Sequence, residues 1–134
     1  MKIDLHSHSF YSDGVLSPSA VVKLASQAGC ELFSLTDHDT TQGSAEAKLE
    51  ADKLNLSLIN GVEISAFWRN MAIHILGLGI DINNDILQTG LEHNQKLRKE
   101  RAEKIALSLW RSGIKDVLEK TQSYSKTDML TRTH

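Results

Sequence analysis

Residues 2–40 read KIDLHSHSFYSDGVLSPSAVVKLASQAGCELFSLTDHDT, and the alternation inside this stretch decides the fold class. Ile3 to Leu5 is a short apolar run of strand type, followed by a polar loop from His6 to Gly14. Ser17-Pro18 opens a helix, with serine at the N-cap and proline at the first helical position, where its missing N–H costs nothing. Val21, Leu24, Ala25 and Ala28 then fall at helical spacing, and Gly29 ends the helix. Cys30 to Thr36 is a second strand, Thr41 to Leu54 a charged, alanine-rich helix, and Leu56 to Val62 a third strand. Three strand–helix alternations predict a parallel α/β arrangement.

Beyond Val62 the rhythm changes. Glu63 to Phe67 and Ala72 to Leu78 read as strands around an Arg69-Asn70 turn. Asp85 to Arg111 is a long helix with Leu87, Leu91, Ala102, Ile105, Ala106 and Leu109 on its apolar face. Gly113 breaks it, Ile114 to Gln122 forms a further short helix, and Asp128 opens another. Trp68 and Trp110 lie in no aromatic cluster and read as packing residues.

The chain has 134 residues, 40% hydrophobic and 24% charged, which excludes disorder and low-complexity classes. A complete β/α barrel takes about 250 residues, so this length holds about half of one. Net charge is −2, which gives no global field for nucleic acid, but its distribution is uneven. Residues 1–40 carry five acids against two lysines, and residues 84–134 carry ten bases against seven acids. That polarity suits a site for cations first and an anion second. Cys30 is the only cysteine and is expected to be a small buried apolar group. The single thiol, the early acid and histidines, and the lack of a long apolar run give the cytoplasm as the default address.

Four polar features fall on or just after predicted strands, where β/α barrels build their sites. They are Asp4-Leu5-His6-Ser7-His8-Ser9 with Ser12-Asp13-Gly14, then Thr36-Asp37-His38-Asp39-Thr40, then Gly61-Val62-Glu63-Ile64-Ser65, and finally His74 within Ile73 to Gly77. On an extended segment His6 and His8 point the same way, about 6–7 Å apart, close enough to share a cation. Any one of these histidines alone reads as a hydrogen-bonded or surface residue, and Asp39 alone reads as a helix cap. Taken together, His6, His8, His38 and His74 with Asp13 and Glu63 need a cation to neutralise them. Imidazoles and carboxylates without thiolates suit manganese, iron or zinc better than magnesium or calcium. No Gly-x-Ser-x-Gly elbow, Walker A segment or Cys-x-x-Cys pair competes with this reading. The run from Lys96 to Lys104 reads either as a solvated helix face, with Glu100 and Lys104 paired, or as a phosphate contact through Arg98 and Arg101 at i,i+3. Arg132 and His134 add to the second reading.

The four motifs, in this order, resemble the first motifs of the polymerase-and-histidinol-phosphatase (PHP) superfamily of metal-dependent phosphoesterases. Arg98-x-x-Arg101-Ala102 and Thr131-Arg132-x-His134 further resemble the branch of nucleoside 3′,5′-bisphosphate phosphatases and 5′→3′ exoribonucleases. The resemblance implies an α/β fold: the N-terminal half of a distorted (β/α)7-type barrel over residues 1–80, with a helical insertion and the start of the return over 81–134. It implies three divalent ions, manganese first, with zinc, iron or magnesium as alternatives. His6 and His8 hold one ion and Glu63 bridges to a second, joined by His74. Asp13 and His38 hold the third, and Asp37 orients His38 or the loop. Asp13, His38 and Glu63 are the catalytic set, and Arg98, Arg101, Arg132 and His134 contact substrate phosphate. The substrate implied is a nucleotide or a 5′-phosphorylated RNA end, with neither a membrane nor a stable protein partner. The alternatives are a histidinol-phosphate or other sugar-phosphate phosphatase, and a non-catalytic metal- or partner-binding module. The Ala-His-Pro and Asp-x-His segments that complete the family's metal site are absent from these 134 residues, so the chain is expected to be an N-terminal portion of a larger enzyme.

Overall fold

A computed structural model describes residues 1–134. Three strands, β1 (Ile3–Ser7), β2 (Leu32–Leu35) and β3 (Ser57–Leu58), form a parallel sheet in that order. Helices α1 (Pro18–Gln27) and α2 (Ser44–Lys53) make the two crossovers. Ser17 Oγ accepts the Ala20 N–H at 3.2 Å, and Gly29 takes φ 78°, so the first helix begins and ends where its residues dictate. The core lies between this sheet and its two helices, where Val22, Phe33, Leu35, Ala47, Ala51 and Leu56 are buried together with Cys30.

The expected third strand, Leu56 to Val62, is two strands. Ile59 still donates to the Phe33 carbonyl, ending the pairing with β2. The chain then turns at Asn60 into β4 (Gly61–Trp68), which pairs antiparallel with β5 (Met71–Leu78) over eight residues. Arg69 and Asn70 both have positive φ, the signature of a tight hairpin turn. Glu63 therefore sits inside a strand rather than at a strand's end. A single bridge ties the hairpin to the parallel sheet: Glu63 N–H donates to the Asp37 carbonyl and Asp39 N–H to the Glu63 carbonyl.

Helix α3 (Asp85–Arg111) has the expected bounds and is capped by Asn84, whose Oδ1 accepts the Leu87 N–H. Helix α4 (Val117–Tyr124) starts three residues later than expected, because Asp116 is left-handed, with φ 59°. The helix expected from Asp128 does not form. Ser125 Oγ donates to the carbonyls of Thr127 and Met129, and Thr127 Oγ1 accepts the Met129 N–H, so local side chains take the backbone groups a helix needs. The tryptophans are a second correction: Trp68 and Trp110 are 59% and 58% exposed, on the hairpin tip and the far end of α3. Met71, Ile73 and Ile75 of β5 are also exposed. No helix is long and apolar enough to cross a membrane.

Candidate metal centre

Six side chains converge where β1, β2 and the hairpin meet. Glu63 is at the middle, 4% exposed. Its Oε2 accepts from His6 Nε2 at 2.9 Å, and lies 2.9 Å from His8 Nε2 and 3.5 Å from His38 Nδ1. Its Oε1 is 2.7 Å from His74 Nδ1. Asp13 stands on the opposite side, 3.3 Å from His8 Nδ1 and 3.6 Å from His38 Nε2. Strand geometry brings this about. His6 and His8 share one side of the β1 end, and the antiparallel register puts Ser65 opposite His74, with Glu63 two residues along on the same face.

The donors fall into three overlapping groups, His6–His8–Glu63, His8–Asp13–His38 and His38–Glu63–His74, each with its ligand atoms within 4.8 Å of one another. Their chemistry fits divalent ions. His38 Nδ1 is buried without a hydrogen-bond partner, a lone pair or N–H that packing alone leaves unsatisfied. Burial pushes the His38 pKa below the usual imidazole range, and Arg98 and His8 push the same way against Glu63 and Asp13. Burial alone would raise the Glu63 carboxyl, but the hydrogen bond from His6 and the charges of His38 and His8 outweigh it and hold the pKa low. An ionised carboxylate beside a neutral imidazole is the protonation state a cation requires. Metal affinity is accordingly expected to fall on acidification from pH 7.5 to 5.5, as protons compete for the imidazoles; a calorimetric manganese titration at both values checks it.

Asp37 holds the loop rather than His38. It accepts from Ser9 N–H at 2.7 Å, Ser9 Oγ at 2.6 Å and Ser12 Oγ at 2.6 Å, fastening residues 9–12 so that His8 and Asp13 are presented together. The same loop needs Gly14, where a Cβ would lie 2.5 Å from the His8 carbonyl oxygen and 2.8 Å from its carbon. Gly14→Ala is expected to cost about 1–3 kcal/mol and to displace His8, lowering both the denaturation midpoint and metal affinity.

The rear half of the chain supplies the anion side. A cavity of about 170 Å³ is lined by Asp13, His38 and His74 together with Arg98, Arg101 and Arg132. Burial lowers the Arg101 pKa, and Arg98 and Arg132 lower it further. Three guanidiniums crowd one space. His134 is not among them. Its Nδ1 accepts the Thr131 N–H at 3.0 Å, and its ring lines a neighbouring cavity that also reaches Asp13.

Asp39 is not the helix cap its position suggested. Position 43 caps α2, while Asp39 is fully buried and its Oδ2 accepts from Arg98 Nε at 2.5 Å. Burial would raise this carboxyl, but the Ser65 N–H, Arg98 and Asn94 hold it below the usual range. Its contribution to stability is therefore complete above the ordinary aspartate range and lost as pH falls through the lowered value. The partners Asn94 and Arg98 lie 55 and 59 residues away, so no local pattern announced the contact.

An α/β scaffold with a histidine–carboxylate cluster at the junction of its strands, beside an arginine-lined cavity, is the architecture of a metal-site domain. The chain belongs to the PHP domain family, whose pattern it matches over residues 4–122. It is 40% identical over 133 residues to the 3′,5′-nucleoside bisphosphate phosphatase of Chromobacterium violaceum, covering 98% of this chain and 47% of that protein. It is 41% identical over 133 residues to the 5′-3′ exoribonuclease Rnm of Escherichia coli, covering 98% and 45%. Among solved structures, a Chromobacterium violaceum protein described as an amidohydrolase, with bound sulfate and no metal, superposes with a TM-score of 0.95 at 39% identity, over 100% of this chain and 48% of that one. A Bifidobacterium adolescentis protein assigned as a metal-dependent phosphoesterase superposes at 0.86 with 25% identity, over 94% and 44%. The chain spans about half the length of these relatives.

Proposed function

We propose that the complete protein is a metal-dependent phosphoesterase of nucleotides. It removes the 3′ phosphate of a nucleoside 3′,5′-bisphosphate, and by the same geometry releases 5′ nucleotides from 5′-phosphorylated RNA. The observation that carries the reading is the shared wall: Asp13, His38 and His74 line one cavity with Arg98, Arg101 and Arg132. In this reading His6 and His8 would hold one ion, Glu63 would be shared between it and a second held with His74, and Asp13 and His38 would serve a third. Three bound manganese ions would supply a water of lowered pKa and neutralise phosphate oxygens.

The chain's own residues do the rest. The arginines hold the non-reacting phosphate through charge-assisted hydrogen bonds, so that binding energy orients the scissile phosphate. The substrate names of the curated relatives support an anion of this class. Cys30, free and buried, supports a reducing, cytoplasmic setting.

The test is a turnover assay of the complete protein, loaded with manganese, on three substrates. Adenosine 3′,5′-bisphosphate is expected to yield 5′-AMP and inorganic phosphate in equal amounts, and 5′-phosphorylated RNA to yield 5′ nucleotides. Histidinol phosphate has no second phosphate for the arginines; preferential turnover of it would overturn the substrate assignment. Metal binding without any hydrolysis would overturn the enzyme assignment.

A further inference from the structure

We propose that Asp39 is a positioning residue for the anion cavity: it aims Arg98, and so couples α3 to the backbone bridge between His38 and Glu63. The inference rests on the phosphate role of Arg98 proposed above.

Asp39 is joined to more of the site than any capping role needs. Its Oδ1 accepts from the Ser65 N–H at 2.8 Å and from Asn94 Nδ2 at 2.9 Å. Its Oδ2 accepts from Arg98 Nε, and its carbonyl oxygen accepts from Gln95 Nε2 at 2.8 Å. Three residues of α3 thus grip the residue that follows His38. Its own N–H donates to the Glu63 carbonyl. Its φ of 51° lies in the left-handed region, a conformation that persists where the surroundings over-determine it.

The guanidinium it holds is only partly used. Arg98 Nε serves Asp39, and Nη2 donates to Ser65 Oγ at 2.6 Å. A guanidinium has five N–H groups, so three remain, and Arg98 also lines the cavity shared with Arg101 and Arg132. Repulsion from two like charges would drive a free arginine out of that cavity. The carboxylate opposes this and fixes the planar fork at one angle, so an incoming phosphate meets a preorganised donor. An asparagine at position 39 cannot replace it. Turning its oxygen to Arg98 aims its NH₂ at the Ser65 N–H and the Asn94 amide, and the other orientation aims it at Arg98.

Charge balance and positioning predict opposite signs, which makes the proposal testable. Deleting the carboxylate that neutralises Arg98 raises the local positive potential and by itself would tighten anion binding. Loss of positioning weakens it. The probe is 5′-AMP bound to the complete, metal-free protein, followed by calorimetry. Asp39→Asn is expected to raise the dissociation constant about tenfold. In the manganese-loaded protein it should lower kcat/KM for adenosine 3′,5′-bisphosphate at least tenfold more than for 3′-AMP, which lacks the clamped phosphate. Tighter 5′-AMP binding, or equal losses on the two substrates, overturns the proposal. A mutant cycle guards against a misfolded single variant. Adding Asp39→Asn to Arg98→Gln should cost 5′-AMP binding nothing further, since no guanidinium is left to aim. A further loss in that background shows that Asp39 acts by another route and overturns the proposal. If Arg98→Gln itself changes neither 5′-AMP binding nor the substrate preference, the phosphate role of Arg98 is what fails, and this inference falls with it.

Discussion

Glu63→Gln in the complete protein is expected to empty the metal centre and abolish turnover together. The substitution conserves volume and leaves the strand untouched, because the Glu63 backbone pairs with Asp37 and Asp39 through main-chain groups alone. Its effect is electronic. Oε2 faces His6, His8 and His38, and Oε1 faces His74, so all four imidazoles look at one anion. An amide withdraws that charge and turns an NH₂ toward ring nitrogens on one side or the other. Removing a residue that merely orients a metal ligand costs about 10–100-fold in affinity, and removing the shared carboxylate is expected to exceed that range. Metal analysis after gel filtration, read beside the turnover assay, checks it. Full occupancy in the variant would remove Glu63 from the proposed ligand set. An independent readout comes from His38, whose pKa Glu63 supports against burial. In the variant the His38 titration, followed by NMR, should move lower still.

Arg101→Gln is expected to act with opposite signs on binding and on stability. In the free protein the Arg101 charge is disfavoured by burial, by Arg98 and by Arg132, as its lowered pKa records. Removing it relieves that repulsion, so the anion-free variant should melt higher than the parent. The same repulsion is what a phosphate dianion cancels on entering. The parent's midpoint should therefore rise with added 5′-AMP, and the variant's should rise less. A charge-assisted hydrogen bond contributes about 1.5–3 kcal/mol, so kcat/KM for the bisphosphate should fall by roughly 10–100-fold. Thermal melts with and without the nucleotide decide the point. A variant both less stable and undiminished in 5′-AMP binding would assign Arg101 to packing and end the clamp reading. This exchange of stability for a site that binds anions is the usual cost of assembling like charges.

The two halves of the site were legible to different degrees. The histidine and carboxylate motifs could be read because their spacing is local: two residues along a strand put His6 and His8 on one side, and the strand–helix rhythm delivers His38 to the same end of the sheet. The Ser17 and Asn84 caps and the bounds of α3 follow from side-chain chemistry within one turn. The break between β3 and β4 was not legible, because Leu56 to Val62 is continuously apolar but for Ser57 and Asn60, and pairing alone divides it. The failed helix after Asp128 was settled by the Ser125 hydroxyl, a competitor that periodicity does not weigh.

By itself the sequence determined the α/β class, the family motifs, the histidines and carboxylates that the fold brings together and the arginine pair at i,i+3. Those features depend on covalent neighbours, on backbone periods of 2 and about 3.6 residues, and on side-chain chemistry. Only the tertiary structure decided that Asp37 serves the Ser9–Ser12 loop, that Asp39 is tied to Arg98 across 59 residues, that Arg132 joins the cavity and that His134 stands beside it. Contacts at such separation leave no periodic trace along the chain. They are set when α3 packs across the strand ends, and burial then decides which carboxylate each donor can reach.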